Sequence, residues 1–278
     1  MTLNEDKMSK GKIITMGGNV DLTPDTPLFK EYFNIAQQIT ENAPKIGIIP
    51  TASANSRKSG KEYVDLFESM GADTILIDPK DREETKEEEM ISKVQEAETF
   101  FLTGGHQLRI TSMLGGTPLL KEIHRKFEDG ALLGGTSAGS VCMATIMISQ
   151  DLIRRPFVHG EVELTQGLGF LEDITIDTHF AARNRIPRLI HIVSENPGVL
   201  GVGIGENTGT IWNLQNKEFK VVGRGSIVVI EGKDIVENNA PSLEIGDSIS
   251  VSGIKVHVMG NGSIFDYDEC KLYLPQEE

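Results

Sequence analysis

The chain has 278 residues, with 27 Lys and Arg against 41 Asp and Glu and a net charge of −14 at pH 7. Its 38% hydrophobic and 24% charged residues exclude a disordered or collagen-like chain, and the length suits one large α/β domain or two small ones. A sequence pI near 4.9 repels phosphate backbones and anionic lipid, which argues against nucleic-acid and membrane partners.

In chain order, residues 12–16 read as a buried strand stopped by Gly17 and Gly18, and residues 28–40 repeat apolar side chains at helical spacing. Residues 45–50 read as a strand, 61–70 as a helix, 73–77 as a strand, and the acidic stretch 82–98 as a solvated helix with Glu and Lys at supporting spacing. Residues 99–102 give another strand, 103–107 its terminal loop, and 108–114 and 118–128 further helix. A strand at 130–133, a small-residue turn at 134–140 and an apolar helix at 141–148 follow. Residues 174–177 and 201–205 read as strands, and from Gly209 onward short β-rich runs (226–230, 248–251, 254–258) are separated by glycines. The repeated strand-then-helix order predicts an α/β fold with a mostly parallel sheet flanked by helices. The expectation is a single domain over 1–278, with 209–278 as a β-rich extension of the sheet.

Cys142 and Cys270 are too few for a disulfide framework or a zinc site. The first seven residues are polar and lack the apolar stretch of a signal peptide. The longest apolar run, 141–148, is far short of the roughly 20 residues that a membrane span needs. These features together predict a cytoplasmic protein.

Gly135-Thr136-Ser137-Ala138-Gly139 fits G-x-S-x-G, in which small flanking residues let a strand turn tightly into a helix and expose a serine on a strained turn. Similar glycine-rich turns also occur for close helix packing or to cradle phosphate, although no G-K-[ST] follows here and the turn at Gly17-Gly18 lacks G-x-G-x-x-G. Serine chemistry needs a base. His179 stands just past the strand 174–177, at the sheet end where α/β proteins build their sites. Arg183, Arg185 and Arg188 follow it in an otherwise acidic chain, and the planar guanidinium suits carboxylate recognition. The plainer reading is a solvated basic face; coupling to Asp177 and His179 favours an anion-binding pocket. Glu206, after a small-residue strand, is placed to orient the histidine as the acid of a triad does.

Four segments carry a resemblance: Thr103-Gly104-Gly105-His106-Gln107; Gly135-Thr136-Ser137-Ala138-Gly139; Asp177-Thr178-His179-Phe180 with Arg183, Arg185 and Arg188; and Gly205-Glu206-Asn207-Thr208. Over residues 104–208 the chain resembles the cyanophycinases and the wider S51 family of serine peptidases, which also holds aspartyl dipeptidases. The resemblance implies a class I glutamine-amidotransferase-like fold, no metal or organic cofactor, a peptide substrate and a homodimer. It implies Ser137 as nucleophile, His179 as base and Glu206 as third member, and it lays Gln107, Asp177, Thr178, Arg183, Arg185 and Arg188 on the substrate pocket. The N–H groups of Gly105 and Ala138 are the expected oxyanion hole. The implied reaction is release of β-Asp-Arg dipeptides from cyanophycin, a poly-aspartate backbone bearing arginine on its side-chain carboxyls. The chain departs from the usual cyanophycinase pattern at Thr178 (Gln), Gly205 (Asp) and Ser140 (Ala), and a shorter side chain at 178 bears on substrate choice. The alternatives are an aspartyl dipeptidase acting on α-Asp-X or isoaspartyl peptides and a non-catalytic binder of an acidic metabolite. Class I amidotransferase chemistry is disfavoured because it needs cysteine at the turn, where this chain has Ser137.

Overall fold

A computed structural model describes residues 11–40, 43–149, 155 and 157–275; the polar first residues read above lie outside them. The amino-terminal half alternates strand and helix: β1 (Ile13–Met16), α1 (Pro27–Ile39), β2 (Lys45–Ile49), α2 (Ser56–Ser69), β3 (Asp73–Leu76), α3 (Glu88–Glu96), β4 (Thr99–Leu102), α4 (Gln107–Leu114), α5 (Pro118–Glu128) and β5 (Leu132–Thr136). Strands β1, β5, β4, β2 and β3 lie side by side in that order, all parallel. β1, β4 and β5 are buried along their whole length, as strands with both faces covered must be. On one face α1 and α2 supply Phe29, Tyr32, Tyr63 and Phe67, whose rings pack on Phe101 of β4. On the other, Val94 of α3 and Leu119, Ile123 and Phe127 of α5 join a second core.

The chain continues through α6 (Ala138–Val141), β6 (Ile146–Ile148), β7 (Leu164–Gln166), β8 (Ile174–Asp177), α7 (Ile186–Glu195), β9 (Leu200–Ile204), β10 (Thr208–Asn213), β11 (Glu218–Gly223), β12 (Ile227–Glu231), β13 (Glu237–Asn238), β14 (Val251–Ser252), β15 (Lys255–Met259), β16 (Ile264–Asp266) and β17 (Lys271–Tyr273). β10, β11, β16 and β17 extend the main sheet antiparallel from β1 to a total of nine strands. β8 and β9, parallel and joined through α7, form a separate four-stranded sheet with β12 and β15. The β-rich tail is therefore shared among three sheets, since β13 and β14 pair with each other alone, whereas the sequence pattern predicts it on one. The chain passes from β9 of the smaller sheet to β10 of the larger through only Gly205, Glu206 and Asn207.

Three local expectations change for identifiable reasons. Helix α2 starts five residues earlier than predicted because the Asn55 side chain caps it, accepting from the Lys58 N–H at 3.1 Å. The acidic stretch 82–98 is not one helix: the Asp81 carboxylate takes the N–H groups of Glu83 and Glu84, a short 3-10 turn follows at Glu84–Lys86, and extended Glu87 separates it from α3. The apolar run 141–148 is a helix for only its first residue. The Cys142 and Met143 carbonyls, which a longer α6 would need, accept instead from the N–H groups of Leu168 and Phe170, and the run leaves as strand β6 paired to β7. Cys142 is buried at the end of that single turn. Among the described residues no helix is long and apolar enough to cross a membrane.

The seam where parallel pairing gives way to antiparallel pairing is polar and fully buried. Thr15 of β1 is hydrogen-bonded through its hydroxyl to that of Thr210 on β10, and the Trp212 indole N–H donates to the same Thr15 oxygen at 3.1 Å. Thr15→Val would orphan both partners at nearly constant volume, so we expect a loss of roughly 1–3 kcal/mol in urea unfolding; an unchanged midpoint would contradict this account of the seam.

Candidate active site

β5 ends at Thr136, and Ser137 follows at φ 51°, ψ −117°, a conformation that costs a side-chain-bearing residue of order 1–3 kcal/mol. The surroundings hold it there. A methyl group on Gly139 would meet the Leu102 carbonyl at 2.2 Å, so the turn can lie against β4 only with glycine. The buried Ser140 hydroxyl accepts from the Met16 N–H at 2.8 Å and donates to the Gly135 carbonyl at 2.7 Å, fastening the turn to β1 and β5. The Ser137 N–H donates to the Met16 carbonyl at 2.9 Å.

His179 lies just past β8, also at positive φ (51°), and its N–H donates to the Gly17 carbonyl at 2.8 Å. Its Nε2 is 3.0 Å from the Ser137 Oγ and its Nδ1 is 2.7 Å from Glu206 Oε1. With the proton on Nδ1 donated to Glu206, the Nε2 lone pair is left to accept the serine proton. Glu206 has a second partner that sequence reasoning missed: the Asn19 amide donates to Oε2 at 2.9 Å. Hydrogen bonds from His179 and then Asn19, with the nearby charges of His179 and Arg183, hold the Glu206 carboxyl below its ordinary range.

Gly17 and Gly18, set aside as an incomplete nucleotide motif, also belong here. A methyl group on Gly18, at φ 91°, would sit 2.4 Å from His179 Nε2. The signal available in the sequence was a Gly-Gly-Asn run directly after a buried strand.

Ala138 follows the serine directly, and Gly105 lies in the loop after β4. Ala138 opens α6, and a methyl group on Gly104 would be 3.4 Å from Ser137 Cβ, so the loop after β4 runs beside the Ser137 turn. The Gln107 amide donates to the Ile148 carbonyl at 3.0 Å, tying the start of α4 to the end of β6. Asp177 is buried and receives Arg185 Nη1 at 3.1 Å and Arg188 Nε at 2.7 Å. Thr178 is buried too, its carbonyl accepting from Arg185 at 2.8 Å. The three arginines are thus of two kinds: Arg185 and Arg188 are buried on Asp177, while Arg183 is exposed and close enough to act on the Glu206 charge.

Three comparisons bear on this geometry. The model of peptidase family S51 matches residues 13–222. A cyanophycinase of Synechococcus elongatus is 30% identical over 269 residues, covering 95% of this chain and 82% of that protein, and one of Geminocystis herdmanii is 29% identical over 259 residues, covering 92% and 94%. The crystal structure of a peptidase from an acI-B1 actinobacterium superposes with a TM-score of 0.71 at 19% identity, covering 95% of this chain and all of that one, and shares the fold.

A carboxyl held low stays ionised as pH falls, and the stabilisation its partners give is present at neutral pH and lost only as pH drops through the lowered value. In Asn19→Ala, Glu206 is therefore expected to titrate at higher pH by carboxyl-carbon NMR, with kcat reduced roughly tenfold by loss of a charge-assisted hydrogen bond. An unmoved Glu206 titration would show that Asn19 has no hold on it.

Proposed function

Because the chain belongs to peptidase family S51 and is a serine peptidase, we propose that it is an exopeptidase that releases β-Asp-Arg dipeptides from cyanophycin. The observation that carries the reading is the continuous hydrogen-bonded line from Ser137 through His179 to Glu206, with contacts of 3.0 and 2.7 Å. His179 Nε2 takes the Ser137 proton as Oγ attacks the peptide carbonyl, and Glu206 steadies the imidazolium that forms. The proton then passes to the departing amine, an acyl-enzyme remains on Ser137, and water activated by the same histidine hydrolyses it. The oxyanion is received by the N–H groups of Ala138, at the start of α6, and Gly105. Every proton is handled by these side chains, so the scheme has no step for a metal or cofactor.

Substrate recognition is proposed at Gln107, Asp177, Thr178, Arg183, Arg185 and Arg188. The contacts support a division of labour among them. Exposed Arg183 meets a substrate carboxylate beside the dyad, while Arg185 and Arg188, spread on Asp177, keep the wall of the pocket rigid and positively charged. Cytoplasmic location and a homodimer belong to the same reading.

The test is dipeptide release from purified cyanophycin, run beside α-Asp-X and β-Asp-X peptides. Ser137→Ala is expected to lower the rate by about 10⁴-fold or more with an unchanged melting temperature. Cleavage of the small α-Asp-X peptides alone would make the protein an aspartyl dipeptidase, and full activity in Ser137→Ala would end the serine mechanism. Thiol chemistry gives an independent check: burial pushes the Cys142 thiol far up and that of Cys270 to about 11. Iodoacetamide at pH 7 is therefore expected to leave turnover intact, whereas a fluorophosphonate abolishes it.

A further inference from the structure

Beyond the Ser137 turn, the segments that follow β2 and β3 and the side of α4 enclose a cavity of about 350 Å³. Its lining includes Thr51, Ser56, Asp78, Lys80, Arg82 and Arg109. It adjoins the reaction centre across a single loop. Gly104 lies against Ser137, a methyl group on Gly105 would strike the Ala52 carbonyl at 2.2 Å, and the His106 N–H donates to that carbonyl at 2.9 Å. The loops after β4 and β2 are thus edge to edge, with Ser137 on one side and the cavity on the other. This is the crevice outside the strand ends where open α/β sheets take their ligands.

Two lining groups are unspent. The Thr51 side-chain oxygen is buried in a residue only 7% exposed and has no hydrogen-bond partner. A buried hydroxyl left unpaired is costly unless something arrives to pair with it. Arg109, on the exposed side of α4, makes no side-chain hydrogen bond or ion pair among the described residues, in a protein whose net charge is −14. Its neighbour Arg82 shows the contrast, with its guanidinium given to the Ser112, Met113 and Gly115 carbonyls at the end of α4. Lys80 is 85% exposed and only loosely paired, 3.7 Å from Glu84. Asp78, which accepts the Ser56 hydroxyl at 2.9 Å, sets a negative charge in the same wall and disfavours a dianion such as phosphate. A planar monoanion answers both the guanidinium fork and the single hydroxyl.

We propose that this cavity is a second peptide subsite, in which the Arg109 guanidinium and the Thr51 hydroxyl hold a carboxylate of the substrate chain away from the bond cleaved at Ser137. The proposal rests on the peptidase reading above and gives it a direction: the chain runs from Ser137 over the Gly104–Gly105 loop, along the carboxyl edge of the parallel strands. Affinity then grows with substrate length, since a second anchored unit makes the first engagement effectively intramolecular.

The experiment compares wild type, Arg109→Ala and Thr51→Val on the polymer and on a two-unit β-Asp-Arg oligomer. For Arg109→Ala, kcat/KM on the polymer is expected to fall about tenfold through KM and on the short oligomer by at most twofold; for Thr51→Val, the polymer value falls about threefold. Equal losses on both substrates, or no loss on the polymer, would overturn the subsite. If wild type cleaves neither substrate, the cyanophycin reading fails and calorimetric titration with tetra-aspartate decides the cavity alone. A Kd raised tenfold by Arg109→Ala supports the carboxylate subsite, and an unchanged Kd or no binding to wild type removes it.

Discussion

The carboxyl end of β1 is the fixed point on which the site depends. Four consecutive residues there each hold a different part of the Ser137–His179–Glu206 line. The Met16 carbonyl receives the Ser137 N–H, the Gly17 carbonyl that of His179, and the Gly18 carbonyl that of Asn207, while the Asn19 amide binds Glu206 directly. Ser137 and His179 stand at the ends of strands in different sheets, and Glu206 occupies the three-residue passage between those sheets. Without a common backbone template, their separations of 3.0 and 2.7 Å would depend on how the two sheets settled against each other. The template converts that packing problem into hydrogen-bond lengths. It also explains why glycine occupies two successive positions, since a methyl group at Gly17 would lie 2.0 Å from the Gly205 carbonyl and one at Gly18 would strike the imidazole.

Much of this was legible in the sequence, for reasons that also explain the gaps. Mostly apolar strands and their following helices announce a parallel sheet because burial on both faces favours apolar side chains at nearly every position. The serine turn was legible because its outer glycines answer local steric demands. Which sheet each tail strand joins was not: Glu218–Gly223 folds back on β10 as a hairpin, whereas the next strand, Ile227–Glu231, leaves that sheet to pair with β9 and β15 of the other. The helix predicted after Ser137 failed for the same reason, because the carbonyls that end it are claimed by a segment more than twenty residues away. Asn19 went unseen because its partner Glu206 is distant in the chain and asparagine is common in turns, and Ser140 was noted only as a departure from the family pattern because its bonds to Met16 cross the sheet. The arginine cluster was visible as charge, but its division between buried Arg185 and Arg188 and exposed Arg183 follows from where Asp177 sits.

The electrostatics of the site are local exceptions to the charge of the whole. Against a net charge of −14, Arg183, Arg185 and Arg188 gather within six residues of chain after His179, and two of them share one buried carboxylate, which leaves the trio of Asp177, Arg185 and Arg188 with a net positive charge. A buried arrangement of this kind adds little net stability, because desolvation offsets most of the attraction. Its contribution is positional, since removing Asp177 would leave two guanidinium groups buried without their common partner. At Thr178 a small buried side chain stands beside that arrangement, and the polar contact made there is its backbone carbonyl to Arg185.

The stitching of residues 16–19 to residues 137, 179 and 206–207 also has a consequence for how the protein comes into being. These contacts join the first strand to segments synthesised more than a hundred residues later, so the site is among the last features that folding can complete. A nascent or partly folded chain holds Ser137, His179 and Glu206 on separate pieces, without the hydrogen bonds that join them in the folded protein. The long-range architecture thus brings Ser137, His179 and Glu206 into line only after residues 16–19 and residues 137–207 have been made and packed together.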